Sequence, residues 1–213
     1  MRNSILGFCF IILATSLFAQ TTKNIALNPP DTNRGMPVMK ALAHRASATH
    51  YDSSMLKIQD ISDLLWAANG INRPSNGKRT APSAINAQDI DVYVFMKTGA
   101  YLYDAQKHSL NLITEGDNRI SCAGKQEIVG TPPLYCVLVS DISRFSRGND
   151  STRLVWAAED AGIVSQNISV FCASVGLSTR PRATMDQSKL KQVLKLKDSQ
   201  YLILNHPVAY KKD

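Results

Sequence analysis

The sequence lacks the short motifs that mark the common hydrolases, metalloenzymes and nucleotide-binding enzymes. It contains no GxSxG, HExxH, Walker P-loop or GxGxxG pattern. The four histidines are His44, His50, His108 and His206, and no two of them stand at the spacing of a metal-ligand pair. We therefore expect no metal site and no catalytic triad.

The sequence has few cysteines, and their number does not indicate a set of disulfide bonds. One of the four cysteines, Cys9, lies in the first twenty residues, and the remaining three are an odd number, which cannot form a closed set of pairs. Cys122 and Cys136 could pair in an oxidising compartment. Cys172 falls in an apolar helical pattern and is expected to be a buried thiol. The favoured interpretation is that all three are structural.

Dense runs of positive charge are absent although the chain is basic. The formal net charge is +7, but the cations are scattered and are not interleaved with aromatic residues. This distribution argues against nucleic acid as a partner. A modest surplus of this kind fits an anionic small ligand.

Long hydrophobic runs are absent except at the start of the chain. Arg2 precedes an apolar run from Ile5 to Phe18, and Ala19 and Gln20 precede a polar stretch. This layout predicts a cleaved signal peptide over residues 1–20, the alternative being an N-terminal membrane anchor. The mature chain, 21–213, is expected to be a single exported domain in the periplasm, with no membrane contact after cleavage.

The hydrophobic patterns predict helices and strands in the proportions of an α+β protein. Helices are expected over 36–47, 57–70, 151–177 and 185–196, from apolar residues recurring every three or four positions. Strands are expected over 91–96, 133–141 and 200–213, with a hairpin over 100–113. Residues 71–88 are predicted to be a long loop, and loops of that length are often functional.

The predicted long helix carries small residues along one side, at Ala158, Gly162, Ser165, Ser169 and Cys172. Residues spaced three or four apart share a helix face, and small ones permit close approach of another backbone. Two interpretations stay open. The helix packs against its copy in a second subunit, or it is the central helix of a monomer.

Three polar clusters are candidates for a binding site. Arg45 and Ser47 stand two residues apart and together suit a phosphate group. The segment containing Pro82, Ser83 and Asn86 combines a turn with an amide that both donates and accepts hydrogen bonds. The third cluster is the pair Lys211 and Lys212 near the end of the chain. Each cluster also has an ordinary structural explanation.

Taken in order, these segments resemble the nitroreductase family of FMN-dependent flavoproteins, and most closely its short SagB/ThcOx-like branch. "ALAHRASATHY" is similar to the family's opening A-L-x-x-R-x-S motif. "DLLWAANGINRP" and "GKRTAPSAIN" resemble the L-L-W-A-A-x-G-I-x-R and R-T-x-P-S-A segments of the branch. "LNHPVAYKK" resembles the family's ending. Ala46 and Thr49 depart from the pattern, because many relatives have basic or imidazole residues there.

The resemblance implies a nitroreductase-like fold: a mixed, mainly antiparallel sheet flanked by helices, with a long central helix forming the core of a homodimer. It also implies two FMN sites at the dimer interface. The implied cofactor-binding residues are Arg45, Ser47, Pro82, Ser83, Asn86, Leu177, Ser178 and Lys211, with Lys212 as an alternate to Lys211. The resemblance assigns no catalytic side chain, because the flavin carries the hydride chemistry.

The expected activity is an exported FMN-dependent oxidoreductase acting on a small electron-poor substrate such as a nitroaromatic or a quinone. A non-catalytic extracytoplasmic flavin- or ligand-binding protein of the same fold is the alternative. Export raises the question of the electron donor, because exported proteins do not normally meet NAD(P)H.

Overall fold

A computed structural model describes residues 24–125 and 132–212. The predicted signal peptide, residues 1–20, lies outside the described residues. No helix in the described part of the chain is long and apolar enough to cross a membrane.

The described chain forms five helices and nine strands, and two single 3-10 turns at Ala84–Asn86 and Ile142–Arg144. The helices are α1 (Val38–His44), α2 (Ile58–Asn69), α3 (Arg119–Ala123), α4 (Asp150–Val175) and α5 (Gln187–Leu194). The strands are β1 (Ile25–Ala26), β2 (Ile71–Arg73), β3 (Lys78–Arg79), β4 (Ile90–Met96), β5 (Gly99–Asp104), β6 (Ser109–Glu115), β7 (Leu134–Asp141), β8 (Leu177–Thr179) and β9 (Gln200–Tyr210).

Seven strands form one sheet in the order β1-β6-β5-β4-β7-β9-β8, and β2 and β3 form a separate small hairpin. Every pairing among these described strands is antiparallel. The predicted α+β class with a mainly antiparallel sheet is therefore confirmed. The predicted hairpin over 100–113 is also confirmed, as β5 and β6.

The sheet is buried on both faces, so the domain has three layers. Along the central strand β7, Leu134, Cys136 and Leu138 point into the core beneath α2 and α4. The alternate residues Tyr135 and Val137 point to the opposite face, beneath α5. Because successive side chains of a strand face opposite ways, one apolar run supplies both cores.

The long helix α4 is the main cover of the first face. The Asn149 side chain caps its start by accepting a hydrogen bond of 2.9 Å from the Thr152 N–H. Gly176 ends it with φ of 77°, a left-handed conformation that glycine adopts without steric cost. Both boundaries agree with the prediction from sequence. Of the predicted stripe of small residues, Ser165, Ser169 and Cys172 are buried, whereas Ala158 and Gly162 are exposed.

Several elements differ from the sequence prediction. The predicted loop over 71–88 contains the β2–β3 hairpin. The strands β1 and β8 and the five-residue helix α3 were not predicted. They are too short to produce a hydrophobic period, and neighbouring strands and helices hold them in place.

The three described cysteines are buried thiols. Cys136 lies in the core beneath α4, and Cys122 lies in the core on the other face of the sheet. A Cys122–Cys136 disulfide is therefore absent from this structure. Burial raises the pKa of the Cys136 thiol to about 12, which makes it a poor nucleophile.

A buried histidine joins β9 to α4 and β8. His206 is fully buried, with Nε2 at 2.8 Å from the Ser165 hydroxyl and Nδ1 at 3.2 Å from Thr179 Oγ1. The Thr179 hydroxyl donates its hydrogen to the Pro207 carbonyl. Because the Thr179 hydrogen is used, Nδ1–H donates to Thr179. Burial keeps the ring a neutral imidazole, so Nε2 accepts from the Ser165 hydroxyl. Burial lowers the pKa of His206 to about 3.

This arrangement predicts that the contribution of His206 to stability is lost in acid. The unfolded chain binds a proton at His206 below its ordinary pKa of 6.5, and the native ring does not until about pH 3. Its contribution to stability therefore declines as pH falls through that window, by at most about 1.4 kcal/mol per pH unit. His206→Asn should be destabilised at pH 7, and the deficit relative to wild type should shrink towards pH 4. Urea unfolding at both pH values measures this.

The matched control is His50→Asn, at an exposed histidine. It should leave the difference from wild type unchanged between the two pH values. A constant deficit for His206→Asn would contradict a neutral buried ring.

Candidate functional site

A cavity of about 310 Å³ lies at the C-terminal end of α4. Its lining residues come from α1 and the segment after it, the last turn of α4, β8 and the end of β9. They are Met36, His44, Ala46, Ala48, Ser169, Cys172, Ala173, Gly176, Leu177, Ser178, Thr179 and Lys211. Ligand pockets commonly measure about 300–1,000 Å³, so this volume is at the lower end of that range.

Two backbone hydrogen bonds hold the walls of the cavity together. The Met36 N–H donates to the Ser174 carbonyl at 3.1 Å, which ties the segment before α1 to the last turn of α4. The Ala48 N–H donates to the Thr179 carbonyl at 3.0 Å, which ties the segment after α1 to β8. Half of the twelve lining residues are alanine, serine or glycine, and these leave room for a flat ligand.

The only described lining residues that can carry charge as cations are Lys211 and His44, and no described lining residue is acidic. Lys211 follows Tyr210, whose hydroxyl donates to Asp60 Oδ2 at 2.6 Å and accepts from the Lys57 N–H at 3.0 Å. These bonds fix the end of β9 on the start of α2. The backbone at Lys211 is therefore held in place, and the lysine side chain puts positive charge on one side of the cavity.

The predicted site residues divide into three groups. Leu177, Ser178 and Lys211 line the cavity. Arg45 and Ser47 are exposed beside it, at positions that alternate with the lining residues. Lys212 is exposed and lies near Asp52, so Lys211 is the better-placed lysine.

The third group, Pro82, Ser83 and Asn86, is not in this cavity. The Ala84 N–H, within that segment, donates to both carboxylate oxygens of Asp160, at 3.0 and 2.9 Å. Asp160 is in the middle of α4, sixteen residues before Gly176. At 1.5 Å per residue, about 24 Å of helix separates the two places. One chain therefore holds the predicted site residues in two separate places.

The segment 80–89 is strained but firmly tied. Ile85, Asn86 and Gln88 have φ of 48°, 57° and 49°, and a β-branched residue such as Ile85 is rarely found there. The Ser83 hydroxyl accepts from the Gln88 N–H at 2.8 Å, and the Gln88 side chain accepts from Arg79 Nε at 2.9 Å. Strained backbone held in this way is common at ligand sites.

Sequence reasoning missed several cavity residues. Ala46 and Ala48 were read as parts of a motif, and Ala173 as part of a helix. No side-chain chemistry marks them, because they contribute space. The one usable signal was the small-residue stripe, which included the lining residues Ser169 and Cys172. Among the described residues, no three His, Cys, Asp or Glu side chains converge to form a metal site.

Comparison with known proteins gives consistent results. Residues 42–210 match the sequence model of the Nitroreductase family. A Methanocaldococcus jannaschii protein named as a nitroreductase is 27% identical over 179 residues, which are 80% of this chain and 89% of that protein. A crystal structure of a protein named as a nitroreductase, from Ralstonia eutropha JMP134, is 33% identical with a TM-score of 0.82, covering 89% of this chain and 90% of that chain.

A more distant structure shares the fold alone. It is the E. coli microcin synthetase McbBCD complex with truncated pro-MccB17 bound. The matching chain is 17% identical with a TM-score of 0.71, covering 98% of this chain and 85% of that chain.

The strained loop predicts an unusual stabilising substitution. Asparagine adopts left-handed backbone with less strain than isoleucine. Ile85 is 39% exposed, so the substitution gives up only part of a full apolar burial, which the relief of strain has to exceed. We expect Ile85→Asn to raise the free energy of unfolding by about 1 kcal/mol, measured as a shift of the urea midpoint. Ile120→Asn, at a 71% exposed apolar residue on the helix α3, should give no gain. A loss for Ile85→Asn equal to that for Ile120→Asn would argue against strain.

Proposed function

The chain belongs to the nitroreductase family, and from that premise we propose that it is an FMN-dependent oxidoreductase. The reductant and the substrate would use the flavin in turn, and the substrate would be small and electron-poor, such as a nitroaromatic or a quinone. The observation that carries the proposal is the cavity at the end of α4, which combines small side chains with a cation and no described acid.

The residues of the cavity fit FMN in two respects. Alanine, serine and glycine side chains along the walls leave a space into which a flat ring can enter against backbone. Lys211 supplies a positive charge for the phosphate. Arg45, exposed beside the cavity, would add a planar guanidinium to that phosphate, and Ser47 would add a hydroxyl donor.

FMN, when bound, supplies the hydride and electron transfer. The chain's own part is to bind and orient it. Leu177 and Ser178, which line the cavity, would support one side of the ring with backbone and small side chains. Arg45, Ser47 and Lys211 would neutralise the phosphate and fix the position of its tail. None of these roles needs a catalytic acid or base.

The proposal includes a homodimer, because a single chain separates its predicted site residues. A two-fold axis that set two α4 helices antiparallel would carry the loop with Pro82, Ser83 and Asn86 from one subunit towards the cavity of the other. Each site would then draw residues from both subunits, and the modest cavity volume would be half of the complete site.

The surface of α4 supports this arrangement. Leu154, Val155 and Ile163 are exposed on it, and Val38 and Met39 are exposed on the adjoining α1. A methyl group added at Gly162 would meet nothing within 4 Å, so this helix face is open in the single chain. Exposed apolar residues of this kind, here mixed with exposed polar ones, are typical of an interface.

Two further parts of the proposal rest on sequence. The "RTAPSAIN" and "LLWAANGINR" segments support assignment to the SagB/ThcOx-like branch. The signal-like residues 1–20 support export, and we therefore propose a periplasmic location. An exported flavoprotein of this kind would take electrons from a donor other than free NAD(P)H.

The deciding experiment is an absorbance spectrum of residues 21–213, purified with added FMN and then desalted. We expect flavin bands at about one FMN per chain. A colourless protein that also leaves FMN fluorescence unquenched would overturn the proposal. Bound flavin without turnover, using quinones, nitroaromatics and several reductants, would favour a non-catalytic flavin-binding protein.

The phosphate contacts predict a difference between FMN and riboflavin, which lacks the phosphate. Lys211→Met should weaken FMN binding by roughly 10- to 100-fold, because a hydrogen bond to a charged group contributes about 1.5–3 kcal/mol. Its affinity for riboflavin should be unchanged. Arg45→Ala should behave in the same way. Fluorescence quenching titrations measure both ligands.

Lys212→Met is the matched control, since it removes the same charge one residue further on. It should bind FMN as the wild type does. Equal losses for Lys211→Met and Lys212→Met would mean that the effect is a general one of net charge. Unchanged FMN binding by Arg45→Ala would exclude Arg45 from the phosphate site.

The dimer predicts that charge on the open face of α4 separates the subunits. Val155 and Ile163 are 56% and 36% exposed in the single chain, so acidic residues there are compatible with its folding. We expect Val155→Glu/Ile163→Glu to be monomeric by light scattering and to lose FMN affinity. Ile120→Glu, at a 71% exposed residue on α3, should stay dimeric. A wild type that is monomeric at all concentrations would contradict the dimer.

A further inference from the structure

Two buried carboxyl groups meet where the loop 80–89 joins the sheet. Asp160 of α4 is 3% exposed, and its two oxygens accept the Ala84 N–H described above. Asp89, the last residue of the loop, is 0% exposed and lies immediately before β4. The two side chains are in hydrogen-bond contact with each other.

The partners of Asp89 leave one of its oxygens for Asp160. Oδ2 accepts a hydrogen bond from the Ser140 hydroxyl of β7. Oδ1 is buried, and no described donor group bonds to it. Two carboxyl oxygens in contact need a hydrogen between them, because neither oxygen of an ionised carboxylate can donate.

No described cation bonds to the carboxyl oxygens of either residue. Arg144, from the turn after β7, donates to the backbone carbonyls of Gln88 and Asp89 at 2.9 and 3.4 Å and uses its other nitrogens on Asp91 and Asp141. Those two carboxylates, on β4 and β7, add negative charge to the same region. Two carboxylates this close in a buried position cannot both be ionised without a large cost.

We propose that Asp89 and Asp160 share one proton, and that this shared proton fastens the loop 80–89 to α4 in the position from which it contacts the flavin. The positioning role rests on the proposed function, but the shared proton does not. The pair acts through the loop, since Asp160 holds the Ala84 N–H and Asp89 fixes the loop's end.

The same contacts make the attachment of the loop 80–89 to α4 sensitive to pH near neutrality. Burial raises the pKa of Asp89 to about 7, with the Ser140 hydrogen bond opposing the rise and Asp160 adding to it. The protonated fraction would fall from about nine-tenths at pH 6 to about one-tenth at pH 8. Above neutrality Asp89 loses its proton, the hydrogen bond between the two side chains is lost, and the loop loosens.

The test is hydrogen exchange of the flavin-free protein at pH 6 and pH 8, corrected for the intrinsic pH dependence of exchange. In the wild type, protection of peptides covering 80–89 should fall on the order of tenfold between the two pH values. Peptides covering α5 give the internal reference. Asp89→Asn should remain protected at both pH values, because its amide can donate to Asp160 while its carbonyl accepts from Ser140.

Ser140→Ala is the second variant. Removing the hydroxyl that stabilises the charged form of Asp89 should move the loss of protection to higher pH. A wild type with equal protection at both pH values, or an Asp89→Asn protein that loses protection as the wild type does, would overturn the proposal. An unaltered midpoint in Ser140→Ala would do the same.

Titration of FMN at pH 6 and pH 8 separates the two proposals. A parallel fall in affinity in the wild type, absent in Asp89→Asn, supports both the shared proton and the loop's contact with flavin. Loop protection that depends on pH while FMN affinity stays constant supports the shared proton and removes the loop from the flavin site.

Discussion

The rest of the structure depends on the burial of one side of α4 against the central sheet. Twenty-six helical residues at 1.5 Å each give a rod of about 39 Å. The Asn149 cap and Gly176 fix its ends, and the first core fixes its rotation, with Ala161, Val164 and Ile168 inward. The cavity at the C-terminal end and the loop at the middle then have fixed positions. A rigid rod cannot bring them together within one chain.

The sequence predicted the parts of this structure that local signals encode. α4 could be bounded because Asn149 and Gly176 are strong capping signals, and β7 because its apolar run is bounded by turn residues. The hairpin β2–β3 and the two-residue strand β1 could not be, since tertiary contacts create them. In the site, Leu177, Ser178 and Lys211 were predicted through a family resemblance. The contact of Ala84 with Asp160 joins residues 76 apart, and no local pattern encodes it.

The loop 80–89, which we propose contacts the flavin, has a backbone conformation that conflicts with local preference. Isoleucine in left-handed backbone at position 85 is unfavourable on its own. Hydrogen bonds that involve Ser83, Gln88 and Arg79 hold the loop in this conformation despite the strain. Glycine or asparagine would adopt this backbone conformation with less strain. The strain and the anchors therefore belong to one arrangement.

The two buried groups at positions 89 and 206 have opposite effects on the exchange of protons during folding. Between about pH 4 and pH 6.5, folding adds a proton at Asp89, whose pKa is raised to about 7, and removes one at His206, whose pKa is lowered to about 3. The two changes cancel. A chain with both groups can therefore cross the acidic range with little net proton uptake from this pair, whereas a relative with only one of them would not. The proton balance of folding in acid therefore depends on the two residues together, and neither residue alone would make it insensitive to pH.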